Sequence, residues 1–152
     1  MGIEDIHDAL IIREQDIFLL MDGSGNVPVA NDRGLGLYHA DTRHLSAFNF
    51  YFHTSPPVVL LSTAELGFGS EHVLTNPQLR TADGRVIPRG TIEVRRQRVI
   101  SGLLEETFQV TNYHSEPVTL ELHLELEADF ANIFEVRGLQ RTRRGALKPS
   151  VV

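Results

Sequence analysis

Between Thr119 and Glu127 the chain places Leu120, Leu122, Leu124 and Leu126 alternately with Glu121, His123, Glu125 and Glu127. A side-chain period of two is the pattern of a β-strand, because successive residues leave the pleated backbone on opposite faces. All four leucines then share one face and the acids the other. The segment predicts a half-buried strand of an antiparallel sheet, with its leucine face packed on a core.

The same reading extends along the chain. Ala9 to Arg13, Asp16 to Met21, Leu45 to His53, Val58 to Thr63, Glu71 to Leu74, Thr91 to Ile100 and Leu103 to Asn112 are rich in β-branched, leucine and aromatic residues. Between them stand Asp22-Gly23-Ser24-Gly25-Asn26, Ser55-Pro56-Pro57, Asp83-Gly84, Ser101-Gly102 and His114-Ser115-Glu116-Pro117, each with turn chemistry. Ser101-Gly102 is the tightest, and Gly102 can take the positive φ a short hairpin loop requires. Short strands at this spacing, without long helices between them, predict an all-β antiparallel sandwich or barrel. Phe130, Ile133 and Phe134 alone follow a helical spacing, enough for one or two turns.

A chain of 152 residues with 41% hydrophobic content has the size and core material of one domain, assigned to 1–145 with a tail at 146–152. With 20 acidic against 14 basic residues the formal charge is −6, which disfavours nucleic acid and anionic membrane surfaces as partners. Without cysteine there are no disulfides or thiolate sites, and no apolar run nears the roughly 20 residues of a membrane span. A cytoplasmic protein is expected.

Candidate chemistry is sparse. His39, Asp41 and His44 are ligand types for a divalent metal, but in an extended segment residue 44 faces away from 39 and 41, so a structural role is expected and no metal or cofactor is assigned. Asp129 and Glu135 could form a carboxylate pair for glycoside hydrolysis, yet Arg137, Arg141, Arg143 and Arg144 lie close by and favour structural ion pairing. The run Arg95-Arg96-Gln97-Arg98 sits in a strand, so its members face opposite sides and ion pairing is expected there too. Gly23 with Gly25 and Gly34 with Gly36 read as turn glycines, since no helix follows to hold a phosphate. Ser46 and Ser62 stand in no nucleophile elbow. There is no tryptophan to stack on sugar rings. Phe48, Phe50 and Phe52 form a core stripe, leaving Tyr38, Tyr51 and Tyr113 as candidates for glycan contact.

Several strings, in order, carry a resemblance: Gly36-Leu37-Tyr38-His39-Ala40-Asp41-Thr42-Arg43-His44-Leu45-Ser46, Leu74-Thr75-Asn76-Pro77, Pro88-Arg89-Gly90-Thr91, the stretch from Glu105 to Tyr113, Ala128-Asp129-Phe130, and Phe134-Glu135-Val136-Arg137-Gly138. From about Leu10 to Gly145 the chain resembles the N-terminal domain of bacterial and archaeal glycogen debranching proteins of the amylo-α-1,6-glucosidase type. The resemblance implies a β-supersandwich that precedes a helical (α/α) barrel, and in that family the barrel holds the hydrolytic carboxylates. The chain alone is accordingly expected to be a non-catalytic scaffold or interaction domain, with the barrel as partner in cis or in trans. An autonomous α-glucan-binding module is the alternative. Asp41, Arg43, Asp129, Glu135 and Arg137 are the candidates for a buried polar network or interdomain face, and a homo-oligomer through an exposed apolar face is a further expectation.

Overall fold

A computed structural model describes residues 9–140 as an all-β unit. Strands β1 (Leu10–Glu14), β2 (Ile17–Met21), β3 (Gly36–His39) and β4 (Thr42–Leu45) form a meander in that order. A second antiparallel sheet has the order β11 (Leu104–Asn112), β10 (Ile92–Ile100), β7 (Gly69–Thr75), β6 (Val58–Thr63). Two-stranded sheets pair β5 (Ala47–Phe52) with β12 (Leu122–Glu127), and β8 (Leu79–Arg80) with β9 (Val86–Ile87). The one helix among the described residues, α1, spans Ile133–Val136. No helix among the described residues is long and apolar enough to cross a membrane. The tail at 146–152 and Arg141, Arg143 and Arg144 lie outside the described residues.

Two apolar clusters make the core. One joins Ile12, Leu19 and Met21 of the meander to Val27, Leu35, Phe48 and Ile100; the other joins Phe50 and Phe52 to Leu74, Leu79, Ile87, Ile92 and Val94. The phenylalanine stripe of β5 is therefore core, as its spacing predicts. Gly102 takes φ 70° in the β10–β11 hairpin, whose ends pair Ile100 with Leu104.

The strongest alternation corrects one expectation. Strand β12 forms, but of its four-leucine face only Leu120, just before it, packs on a core cluster; Leu122, Leu124 and Leu126 are 39%, 50% and 54% exposed. Phe130, counted in a helical spacing, instead has a left-handed φ of 50°, and the helix begins three residues later behind Asn132.

On β10 burial alternates strictly, and Arg96 and Arg98 fall on the buried face between Val94 and Ile100. Both are sealed from solvent. Glu106, the cross-strand partner of Arg98, accepts from the Nε of Arg98 at 3.0 Å and from the Nε of Arg96. The Asp22–Asn26 loop supplies further acceptors, Met21 Sδ lies 3.2 Å from Arg98 Nη1, and the buried Nη2 of Arg96 has no hydrogen-bond partner among the described residues. Arg96 Nη1 donates to Asn26 Oδ1 at 2.6 Å and to the Ser24 carbonyl at 3.3 Å, and Arg98 Nη1 donates to the Gly25 carbonyl. Asp22 holds that loop by accepting from the backbone N–H groups of Ser24 and Asn26 through one carboxylate oxygen. The Phe48 ring lies 5.0 Å from the Arg96 guanidinium and 4.8 Å from that of Arg98, and Phe108 lies 5.4 Å from Arg96, so cations sit on aromatic faces.

His72 completes this polar layer. Its Nδ1 meets Ser62 Oγ at 2.8 Å and its Nε2 meets Ser70 Oγ at 3.1 Å. Gly25, at φ 77°, passes so close that an added Cβ would lie 2.8 Å from the imidazole, so only glycine fits there. Burial, then the Arg98 charge, pushes the imidazole pKa down to about 4, while burial and the Arg96 charge lower Arg98 to about 10.

Two guanidiniums sharing one buried carboxylate make Glu106 the critical member. Glu106→Gln is expected to cost about 3–5 kcal/mol, the usual penalty for orphaning a buried charge. Arg95→Ala, on the solvent face of the same strand, should change stability far less; urea denaturation of both variants checks this. A second expectation concerns pH. The folded pKa of His72 lies below its unfolded value, so between pH 6.5 and about 4 the unfolded chain binds the extra proton and stability falls as pH falls. The slope is up to about 1.4 kcal/mol per pH unit, and a His72→Gln variant should show a flatter dependence across that window.

Candidate functional site

Of the polar residues singled out by sequence, Asp41, Arg43, Asp129 and Glu135 meet where the β3–β4 hairpin joins the segment after β12. The hairpin turns through Ala40 and Asp41, which both take left-handed φ values of 46° and 62°, the backbone of a two-residue type I′ connection. A bulge follows, because the partner of β3 jumps from Arg43 to Leu45 and leaves His44 unpaired. Gly36 makes room for the crossing: an added Cβ would lie 2.6 Å from both Arg43 Cδ and the Leu45 carbonyl oxygen.

Arg43 is held against Asp129. Its Nε donates to both carboxylate oxygens at 3.2 Å, its Nη2 donates to Oδ2, and its Nη1 reaches the Leu35 carbonyl at 3.4 Å. Burial works against the charge of Arg43, but the hydrogen bonds and charge of Asp129 outweigh it and raise the pKa. Burial likewise opposes ionisation of Asp129, yet Arg43 and the Ala131 N–H hold its carboxyl below the usual range. The backbone repeats the link: Arg43 N–H donates to the Ala131 carbonyl at 2.8 Å and Ile133 N–H donates to the Asp41 carbonyl at 2.9 Å.

Asp41 thus contributes its backbone carbonyl to this junction. Glu135 accepts from the Asn132 N–H at 2.7 Å while Asn132 accepts from the Phe134 and Glu135 N–H groups, a reciprocal capping box. Arg137 is exposed at the end of α1, where its charge is felt by Tyr38. Of the five polar candidates, Arg43 and Asp129 pair directly, and Asp41 and Glu135 secure the same segment by other means.

The tyrosines separate. Tyr38 is 3% exposed, stacks on Phe18 and donates to the Gly34 carbonyl at 2.7 Å, so the candidate glycan contact at Tyr38 is corrected to a packed core position. Tyr51 is half-buried, with its hydroxyl 3.3 Å from Glu125, and Tyr113 is 67% exposed at the end of β11, in a different sheet.

His39 and His44 come closer than an extended chain allows, with ring centroids 6.0 Å apart, because the hairpin and bulge fold one over the other. His39 pairs with Asp16 at 3.2 Å, His44 packs edge-on to Phe130, and no group of three or more metal-ligating side chains assembles among the described residues. Ser62 and His72 have the contact of a nucleophile and base. The imidazole's second nitrogen, however, meets Ser70 rather than a carboxylate, and the ring is fully buried. An open cleft of ≈ 880 Å³, lined by His53, Arg80, Asp83, Arg85, His114 and Glu121 among others, is the polar concavity that sequence reasoning missed. Its residues come from three separate loops and strands, so no local motif announces it.

The segment held by the Arg43–Asp129 junction exposes three large apolar side chains, Phe130, Phe134 and Leu139, at 47%, 61% and 64%, beside the exposed polar Asn132 and Arg137. Losing the charge-assisted bonds in Arg43→Ala should cost about 1–3 kcal/mol. Arg137→Ala should leave the unfolding midpoint unchanged. Thermal melts of the two variants side by side test this division.

No curated protein sequence matches the chain. A family model describing the N-terminal domain of some glycogen debranching enzymes matches residues 12–152, nearly the whole chain. The chain belongs to this family of glycogen debranching enzyme N-terminal domains.

Proposed function

We propose that this chain is a non-catalytic scaffold domain that packs against the catalytic (α/α) barrel of a glycogen debranching protein, in cis or in trans, and supports α-glucan breakdown in the cytoplasm. The observation that carries the reading is the apolar surface of Phe130, Phe134 and Leu139, presented by a segment fastened to the β3–β4 hairpin through Arg43–Asp129 and two backbone hydrogen bonds. An exposed apolar patch on a rigid support is the usual anatomy of a docking face. Membership in a family of debranching enzyme N-terminal domains supports this choice of partner.

The carboxylates fit this role better than catalysis. A glycosidase general acid needs a raised pKa, and Asp129 is held low by Arg43 while Glu135 is occupied in capping α1. Asp41, Arg43, Asp129 and Glu135 are therefore read as the support of an interdomain face, and the exposed Arg137 as part of that face. The rival reading, an autonomous α-glucan-binding module, rests on Tyr51 and Tyr113, which belong to different sheets.

Phe134→Glu and Leu139→Glu are expected to weaken association with the catalytic domain at least tenfold, measured by titration calorimetry, while leaving the thermal midpoint of the isolated chain in place. Unchanged association would overturn the assignment of this face. Maltooligosaccharide added to the chain alone should give no saturable heat; saturable binding lost in Tyr113→Ala would favour the glycan module.

A further inference from the structure

The leucine face of β12 is exposed on a strand that, among the described residues, also lacks a second neighbour. On the β5 side the pairing is regular: His53 N–H donates to the Glu121 carbonyl at 2.9 Å, and Leu122 to Glu127 run opposite Phe52 to Ala47. In an antiparallel pair a residue's N–H and C=O point to the same side and alternate along the strand. Odd-numbered residues from Glu121 onward thus bond to β5. Phe48 and Phe50 turn their amides the other way, to the Val27 carbonyl and to Asn26 Oδ1. The N–H and C=O groups of Leu122, Leu124 and Leu126 consequently point away from β5, where no strand follows among the described residues. The same three residues carry the exposed side chains.

This combination differs from an ordinary sheet edge. Strand β6, an edge of the separate β11–β10–β7–β6 sheet, also exposes Val59, Leu60 and Leu61, but a register shift between Val59 and Leu61 interrupts its ladder, a common protection against further pairing. Strand β12 has no such interruption. Its leucines lie on the face of Phe48, Phe50 and Phe52, directly above the core, and Phe50 stacks on Phe108 of β11 at 5.4 Å. Two residues further along the same face of β11, Val110 is 46% exposed.

We infer that the free edge of β12 receives an added β-strand whose inward residues are apolar and whose outward residues are basic. The outward face carries Glu125 and Glu127 of β12 and Glu121 just before it, with His123 between them 3.2 Å from Glu121, so the face is mostly acidic and a neighbouring strand gains by placing Lys or Arg opposite the acids. A second copy fits less well: antiparallel self-pairing centred on Leu124 sets Glu121 against Glu127 and leaves only His123 to face Glu125, whereas a basic strand can meet each acid with a countercharge. An added strand satisfies the outward N–H and C=O groups of the three leucines and covers their side chains, the pairing known from β-augmentation. The inference does not depend on the Phe130–Leu139 docking face; failure of either leaves the other standing.

The probe is a synthetic peptide of about nine residues, the length of a long strand, in which valine alternates with arginine. Hydrogen exchange is followed by NMR on the 152-residue chain. Exchange at the amides of Leu122, Leu124 and Leu126 should slow at least tenfold with this peptide. A peptide of the same composition with the arginines and valines in separate blocks, and one with glutamate replacing arginine, should give no such protection. Leu124→Pro removes only an outward N–H and leaves the ladder to β5 intact; it should keep the spectrum of the folded chain and abolish the protection. Absent protection at millimolar peptide, or equal protection by the block peptide, overturns the inference. A chain that sediments as a dimer and becomes monomeric on Leu124→Pro overturns it in favour of a second copy.

Discussion

Arg96 and Arg98 lie where an antiparallel sandwich ordinarily places leucine or valine, and the surrounding structure is arranged to accept them. A buried guanidinium needs both countercharge and acceptors. Glu106 supplies the charge from the adjacent strand, and the Asp22–Asn26 loop turns its carbonyls and the Asn26 side chain inward to supply the acceptors. That loop can do so only because Asp22 holds its backbone and Gly25 takes a left-handed φ beneath His72. Meander, loop and larger sheet are joined through one polar layer, with Phe48 reaching into it from the apolar side. An apolar layer of equal volume could be as stable; the arginine pair gives directional bonds that fix how the loop crosses the sheet.

The Arg43–Asp129 pair performs a similar task at the surface. It ties the segment leaving β12 to the hairpin of the meander, across 86 residues of sequence. Both sites use an arginine fork to pin irregular backbone, one inside the core and one beneath the exposed Phe130, Phe134 and Leu139. The difference in burial separates their consequences: the first governs whether the domain folds, the second how a short segment is presented.

Much of this was legible in the sequence. The alternation on β5, β10 and β12 and the turn at Ser101-Gly102 place most strands correctly, since a period of two needs no tertiary information. The β3–β4 hairpin escaped because its turn uses Ala40 and Asp41 at left-handed φ, without the Asn-Gly or Asp-Gly pair that signals such a loop. The β8 and β9 strands are two residues each and too short to show a period. The buried arginines were half visible: Ile92, Val94 and Ile100 mark the inner face, and 96 and 98 share its parity. Counting back through the Ser101-Gly102 hairpin puts Glu106 opposite Arg98, a signal that was available. Alternation alone could not tell that three leucines of β12 lie open, because it reports that two faces differ and says nothing of what covers either one. The cleft near His53 and the Tyr38 burial depend on contacts between distant segments and leave no local trace.

The most direct test of the scaffold account is hydrogen–deuterium exchange of this chain with and without a debranching catalytic domain supplied in trans. The account predicts that amides from Phe130 to Leu139 and in the β3–β4 hairpin become protected in the complex, while those of the Arg96–Arg98–Glu106 layer, already slow, do not change. Association without protection at that face, or no association under conditions where both domains are folded, would contradict it.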